Sequence, residues 1–219
     1  MISVVIPTVN AERLLPRCFD SLIPAAVRGV VREVIVSDAG STDSTLAMAD
    51  GAGAHIVHAR KGRGQQLIEG AATARSDWLL FLHPETALEP GWEVEAESFI
   101  DQSVMEQPRA AAFRFALEDF GGDARRAEAL AALRTSMFAL PYGDQGLLIP
   151  KRLYQKIGGY RALADMEDAD LVRRIGRRRL VSLRARAVNV ARPSKGALRG
   201  AALILLHALR VPSRVVARL

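Results

Sequence analysis

The chain has 219 residues, 49% apolar and 25% charged, a balance that supports one full hydrophobic core and excludes a disordered or collagen-like chain. Its single cysteine, Cys18, excludes an intramolecular disulfide and fits a reducing compartment. The net charge of +6 reflects arginines crowded into the last third, Arg173 to Arg218, with no zinc-finger spacing or aromatic RNA-binding pair beside them, so no nucleic-acid partner is expected.

Ile2 to Pro7 is a β-branched run closed by proline and predicts a buried first strand. It starts the sequence without a basic region or small-residue cleavage site, so no secretory signal is expected and the location is expected to be cytoplasmic. Leu14, Leu15, Cys18, Phe19 and Leu22 have helical spacing and predict a helix over 11–22, with Cys18 as a small buried hydrophobe. Val34 to Val36 is a second strand, followed by Asp38-Ala39-Gly40-Ser41 and a helix over 45–51 that Ser41 or Thr42 could cap. A third strand is predicted at 54–57, a basic glycine turn at Lys61-Gly62-Arg63-Gly64, a helix at 65–74 and a fully apolar strand at 78–82.

This alternation implies an α/β unit with a parallel sheet, whose ligands sit beyond the carboxyl ends of the strands. Pro7-Thr8, Asp38-Ala39-Gly40-Ser41 and His83-Pro84-Glu85 all fall at such ends. The second half is less regular. It predicts a strand over 111–117, a helix over 124–140, a loop at Gly143-Asp144-Gln145-Gly146 and a strand over 147–149. A short helix over 153–157, a helix opened by Glu167-Asp168 and running to 175, and basic strand over 181–190 follow. From Ala197 the chain is rich in Leu and Ala, but its apolar run is short of the ~20 residues that span a bilayer. Arg210, Arg214 and Arg218 recur on one helical face, which suits a helix packed on the domain or one lying on an anionic membrane.

These clusters, in this order, resemble glycosyltransferase family two. The residues that carry the likeness are Ser3 to Thr8, Glu33 to Asp43, Gly62-Arg63-Gly64 and Leu79 to Thr86. Tyr142 to Gly146, Ile157-Gly158-Gly159-Tyr160 and Met166 to Leu171 resemble a short bacterial subgroup that stands alone without a large membrane domain. The resemblance implies a GT-A fold, a mostly parallel sheet flanked by helices. Residues 1–90 would form the nucleotide-binding half and 91–196 the acceptor half, with a C-terminal helical tail over 197–219.

It also implies an inverting transfer of a sugar from a UDP- or GDP-linked donor to a hydroxyl acceptor, assisted by a divalent cation, Mg²⁺ or Mn²⁺. On the matching positions, Asp38 would recognise base or ribose, a task that suits a hydrogen-bond-accepting carboxylate; a turn-stabilising role beside Gly40 is the other reading. Pro7 and Thr8 would line the base pocket, and Arg63 would reach the nucleotide unless it is a solvated turn arginine. His83-Pro84-Glu85 stands where the family has Asp-x-Asp, so Glu85 would be the metal ligand, with a longer stem than the usual aspartate, and His83 would lie beside the donor; an exposed loop carboxylate is the alternative for Glu85.

Glu167-Asp168 resembles the family's Glu-Asp pair, with Asp168 as general base and Glu167 in acceptor binding; both also suit the positive end of a helix dipole. Asp144 and Gln145 would position sugar or acceptor, and Arg192 would meet the diphosphate. Ala39 and Glu85 depart from the family pattern, and a nucleotide-sugar-binding protein with impaired turnover is the alternative they suggest. The basic end and apolar tail suggest a lipid-linked or anionic acceptor, with peripheral attachment at the inner face of the membrane.

Overall fold

The computed structural model describes residues 1–105, 108–118, 143–163 and 166–190. The first half runs β1 (Ile2–Thr8), α1 (Leu15–Val27), β2 (Val31–Asp38), α2 (Thr45–Gly51), β3 (His55–His58), α3 (Arg63–Thr73) and β4 (Trp78–Phe81). Every residue of β1 is buried, because it pairs in parallel with β2 on one side and β4 on the other while helices cover both faces. That environment explains why four of its seven residues are Val or Ile.

The second half adds β5 (Thr86–Leu88), α4 (Trp92–Met105), β6 (Ala110–Leu117), a 3-10 turn at Gly143–Gln145, β7 (Leu147–Pro150), α5 (Lys151–Lys156), α6 (Glu167–Ile175), a 3-10 turn at Arg177–Arg179 and β8 (Leu180–Asn189). The sheet order is β3-β2-β1-β4-β7-β6-β8-β5. It is parallel from β3 to β4. Beyond β4 it is mixed, since β7 runs antiparallel to β4 and β6, β5 runs antiparallel to β8, and β6 and β8 are parallel.

Alternate residues of each strand feed opposite sides of the sheet. Ile2, Val4, Ile6 and Leu80 join Leu15, Cys18, Leu22, Trp92 and Phe99 under α1 and α4. Val5, Leu79 and Phe81 join Leu67, Leu153, Tyr154, Tyr160, Leu171 and Ile175 under α3, α5 and α6. Cys18 is buried as expected, and desolvation drives its thiol far above the ordinary range, so it behaves as a small apolar side chain.

Most predicted elements hold to within a few residues. The first helix starts later than expected, at Leu15, because Ala11 to Leu14 form a turn in which the Ala11 carbonyl takes the amides of Leu14 and Leu15. Pro16 then occupies the first helical turn, where its missing N–H has no consequence. The helix also passes through Pro24 and ends one turn later, at Val27. Neither Ser41 nor Thr42 caps α2. The N-cap is Ser44, which makes no side-chain cap bond; Asp43 before it accepts the Thr45 amide through Oδ1 at 3.0 Å, while Ser41 is drawn to Asp38. The helix predicted at 124–140 and the tail at 197–219 lie outside the described residues. No helix among the described residues is long and apolar enough to cross a membrane.

Candidate active site

The carboxyl ends of β1, β2 and β4 form one edge, and Pro7, Thr8, Asp38, His83 and Glu85 lie along it. Pro7 and Thr8 end β1 opposite Ser37 and Asp38 at the end of β2. Thr8 Oγ1 donates to Asp38 Oδ1 at 2.8 Å, and the Ser41 hydroxyl donates to the same oxygen. Asp38 Oδ2 accepts the amides of Gly40 at 2.9 Å and Ser41 at 2.8 Å. Gln66, from α3, ties both strand ends together, its Nε2 donating to the carbonyls of Thr8 at 2.7 Å and Ser37 at 2.8 Å. This frame sets the shape of the loop that leaves β2.

Burial alone would raise the Asp38 pKa, but the donors from Ser41, Thr8 and Gly40 outweigh it and hold the carboxyl below the usual aspartate range. A depressed folded-state pKa contributes stability that is present above the unfolded value near 3.8 and is lost as pH falls through the folded value. Asp38→Asn is therefore expected to melt earlier than the wild type at pH 7 and to lose less stability between pH 5 and pH 3. Thermal melting across that range checks it; parallel curves for the two proteins would refute the assignment.

Beyond β4 the chain turns through His83, Pro84 and Glu85. His83 is buried, and its two ring nitrogens face two different carboxylates: Nδ1 lies 3.8 Å from Glu85 Oε1, and Nε2 lies 3.8 Å from Asp168 Oδ2. Burial, the largest influence, works against charge on the ring. The pull of Glu85 and Asp168 more than reverses it, and the imidazole pKa rises above its ordinary value. Residues 85 and 168, distant in sequence, are thus one imidazole ring apart.

Glu167 and Asp168 open α6, where the unsatisfied amides of the helix start favour negative charge. Met166, just before them, adopts a left-handed conformation with φ 64°, which a side chain with a Cβ tolerates at a cost of about 1–2 kcal/mol. The strain sits at the residue directly before the two carboxylates that open α6. Glu167 is almost fully buried and meets Arg63 Nε at 2.7 Å, so the start of α3 and the start of α6 are joined by an ion pair. Burial and the neighbouring Asp168 raise the Glu167 pKa, against the opposing pull of Arg63. Gly64 allows this approach: a Cβ there would overlap the carbonyl oxygen of Arg161. Asp170, one helical step on, belongs to structure. It is clamped by Arg161 at 3.1 Å and Arg174 at 2.6 Å, and Arg174 also donates to the Ile157 carbonyl at 2.7 Å.

Two residues to which the sequence attaches no site role, Tyr160 and Asn189, hold the site. Tyr160 donates its hydroxyl to Asp168 Oδ1 at 2.7 Å. Asn189, at the end of β8, accepts from Thr86 Oγ1 at 2.6 Å and donates to the Asp144 carbonyl at 2.7 Å, so it fastens the loop carrying Glu85 to the 3-10 turn carrying Asp144. Gln145 is buried, and its amide lies 3.3 Å from the Phe113 carbonyl, which makes it a strut of that turn. Arg192 lies outside the described residues.

The comparisons with known proteins agree with the fold and the motifs. Residues 3–101 match the model of the family described as Glycosyl transferase family 2, so the resemblance read from the motifs is borne out there. Over 90 residues the chain is 38% identical to glucosyl-3-phosphoglycerate synthase from Mycolicibacterium paratuberculosis, a match covering 37% of this chain and 27% of the relative. It is 33% identical over 95 residues to a PGL/p-HBAD biosynthesis glycosyltransferase from Mycobacterium bovis, covering 40% of this chain and 36% of the relative. The matches thus span about a quarter to a third of these relatives. Crystal structures of glucosyl-3-phosphoglycerate synthase from Mycobacterium tuberculosis share the fold. The complex with Mg²⁺ and UDP superposes with a TM-score of 0.69 at 22% identity, covering 97% of this chain and 80% of that one. The complex with Mn²⁺, UDP and glucosyl-3-phosphoglycerate gives 0.65 at 22% identity, covering 97% and 81%.

Proposed function

We propose that this chain transfers a sugar from a nucleotide-diphosphate sugar to a hydroxyl acceptor, with Asp168 as general base and inversion at the anomeric carbon. The observation that carries the proposal is the pair of 3.8 Å contacts from His83, one to Glu85 and one to Asp168. A leaving diphosphate and an attacking hydroxyl must be served from opposite sides of one anomeric carbon, and two carboxylates separated by a single ring suit that task.

The residues fit a divalent cation of a particular kind. No group of three His, Cys, Asp or Glu side chains among the described residues is arranged to hold a metal by itself. Glu85 offers one set of hard oxygen donors, and Mg²⁺ or Mn²⁺ ordinarily binds through one or two carboxylates plus substrate phosphates. Glu85 would hold the ion that the donor carries in, and the ion's chemistry would be to neutralise charge on the departing diphosphate.

On the donor side, Thr8 and Asp38 would receive the base or ribose. All four lone-pair positions of Asp38 are taken by Thr8, Ser41 and Gly40 donors, so a ribose hydroxyl would replace one of the two hydroxyl donors. Arg63 would exchange part of its contact with Glu167 for the nucleotide. Asp144 would approach the sugar from the turn that Asn189 fastens.

The UDP and phosphoglyceric acid bound by the Mycobacterium tuberculosis relative support a uridine donor and an anionic hydroxyl acceptor for this chain. A cytoplasmic location at the inner face of the membrane, with the segment 197–219 as a peripheral contact, completes the reading.

Calorimetry with UDP and GDP, each with and without Mn²⁺, followed by UDP release from UDP-glucose, tests it. The expected result is UDP binding that tightens with Mn²⁺ and measurable UDP release. Binding without release from any of a panel of UDP- and GDP-sugars would contradict it.

A further inference from the structure

The hydrogen bond between Tyr160 and Asp168 has no part in the transfer as described so far. We propose that Tyr160 is a positioning residue that occupies Asp168 Oδ1 and thereby leaves Oδ2, on the side of His83, as the one oxygen that receives the acceptor's proton. The inference rests on the reading of Asp168 as the base.

Three features converge on the hydroxyl. Tyr160 is buried, with its ring edge-on to Phe81 at 4.9 Å and tilted against Tyr154 at 6.1 Å, so its direction is set by packing. Its main-chain amide donates to the Tyr154 hydroxyl at 3.0 Å. Gly159 precedes it in a left-handed turn, φ 58°, where a Cβ would press on the Tyr154 ring at 2.9 Å. The chain therefore accepts a turn restricted to glycine, and what the turn delivers is a phenol at 2.7 Å from the carboxylate.

A phenol in this place is a constant donor. Burial first, and the charge of Asp168 second, push the Tyr160 pKa well above the ordinary value of 10.0, so the hydroxyl keeps its proton whenever Asp168 is charged. The opposite oxygen faces His83 Nε2, a buried ring atom with no hydrogen-bond partner among the described residues, at 3.8 Å. Other groups near the carboxylate are Glu167, from the same helix turn, and Arg63, through Glu167.

In the transfer, the acceptor oxygen forms its bond to the anomeric carbon while the bond from that carbon to the diphosphate oxygen breaks. The electron pair departs with the diphosphate, and the acceptor proton passes to Asp168 Oδ2. A carboxylate free to rotate would offer either oxygen in several directions; one locked by Tyr160 offers a single direction, which is the preorganisation that positioned bases require.

The experiment uses the full chain with UDP-glucose and Mn²⁺, reading UDP release. Tyr160→Phe keeps the ring and removes the hydroxyl, and is expected to lower kcat roughly 10- to 100-fold with the donor KM within about twofold, the cost that misplacement of a reacting group carries. Leu153→Val loosens the same apolar cluster without touching the hydroxyl. It is expected to lower Tm with kcat retained within about twofold. Wild-type kcat in Tyr160→Phe, or an equal loss in both variants, would overturn the proposal.

Crystal structures of the wild type and Tyr160→Phe give a reading independent of any donor. The Asp168 carboxylate should be rotated or split in the variant, and an unmoved carboxylate overturns the proposal. A wild type that releases no UDP while its Asp168 still moves in Tyr160→Phe counts against the transferase reading and leaves the positioning role standing.

Discussion

Asp168→Asn is expected to lower the rate of sugar transfer by roughly 10²- to 10⁴-fold, the range associated with loss of a positioned general base. The amide has the shape of the carboxylate, and its oxygen can still accept the Tyr160 hydroxyl now 2.7 Å from Oδ1. What disappears is the capacity to take a proton at the second oxygen. UDP binding should stay within about twofold, because Asp168 faces His83, while the nucleotide edge proposed above rests on Thr8 and Asp38. Steady-state rates and calorimetry on the same preparation separate the two effects. A variant with more than a tenth of wild-type turnover would remove Asp168 from the chemistry.

The second large effect is expected at Glu85. Glu85→Gln keeps the size of the side chain and removes its charge, and it is expected to abolish the tightening of UDP by Mn²⁺. It should also lower turnover on the order of 10²- to 10³-fold, as expected when a group that stabilises developing negative charge is lost. Glu85→Asp keeps a hard oxygen ligand on a shorter stem, so part of the metal response should survive. The ordering of wild type, Glu85→Asp and Glu85→Gln in a Mn²⁺ titration of UDP affinity checks this. Equal Mn²⁺ responses in all three would place the ion elsewhere.

The first half was legible because each of its signals is local. The Val/Ile runs of β1 and β2 and the apolar Trp78-Leu79-Leu80-Phe81 run of β4 are bounded by Pro7, Asp38 and His83, and strand ends marked by polar residues are where an α/β sheet presents its ligands. The start of α6 was equally plain, since Glu167, Asp168 and Asp170 suit the positive end of a helix. The strand β5 and helix α4 were not read. Trp92, Ala96, Phe99 and Ser103 do recur at helical spacing on the buried side, but two of those four are small or polar, and the stripe is faint.

The site itself needed tertiary structure. Nothing in Thr86 or Asn189 announces a 2.6 Å bond across 103 positions, and Tyr160 stands in the sequence as the end of the Ile157-Gly158-Gly159-Tyr160 motif with no role attached to its hydroxyl. Such links depend on which strands become neighbours. The mixed half of the sheet, where β8 inserts between β6 and β5, has no periodic signature that predicts it. The capping assignment at α2 failed for a related reason: Ser41 had a better partner in the buried Asp38 than in the helix it precedes.

The most direct measurement is anomalous diffraction at the manganese edge from crystals soaked with UDP and Mn²⁺. The account predicts one strong peak between the Glu85 carboxylate and the diphosphate, with the uridine against Thr8 and Asp38 and open space for an acceptor between that peak and Asp168. UDP seated away from the carboxyl edge of the sheet, or a manganese peak that avoids Glu85 while the diphosphate is ordered, would contradict it.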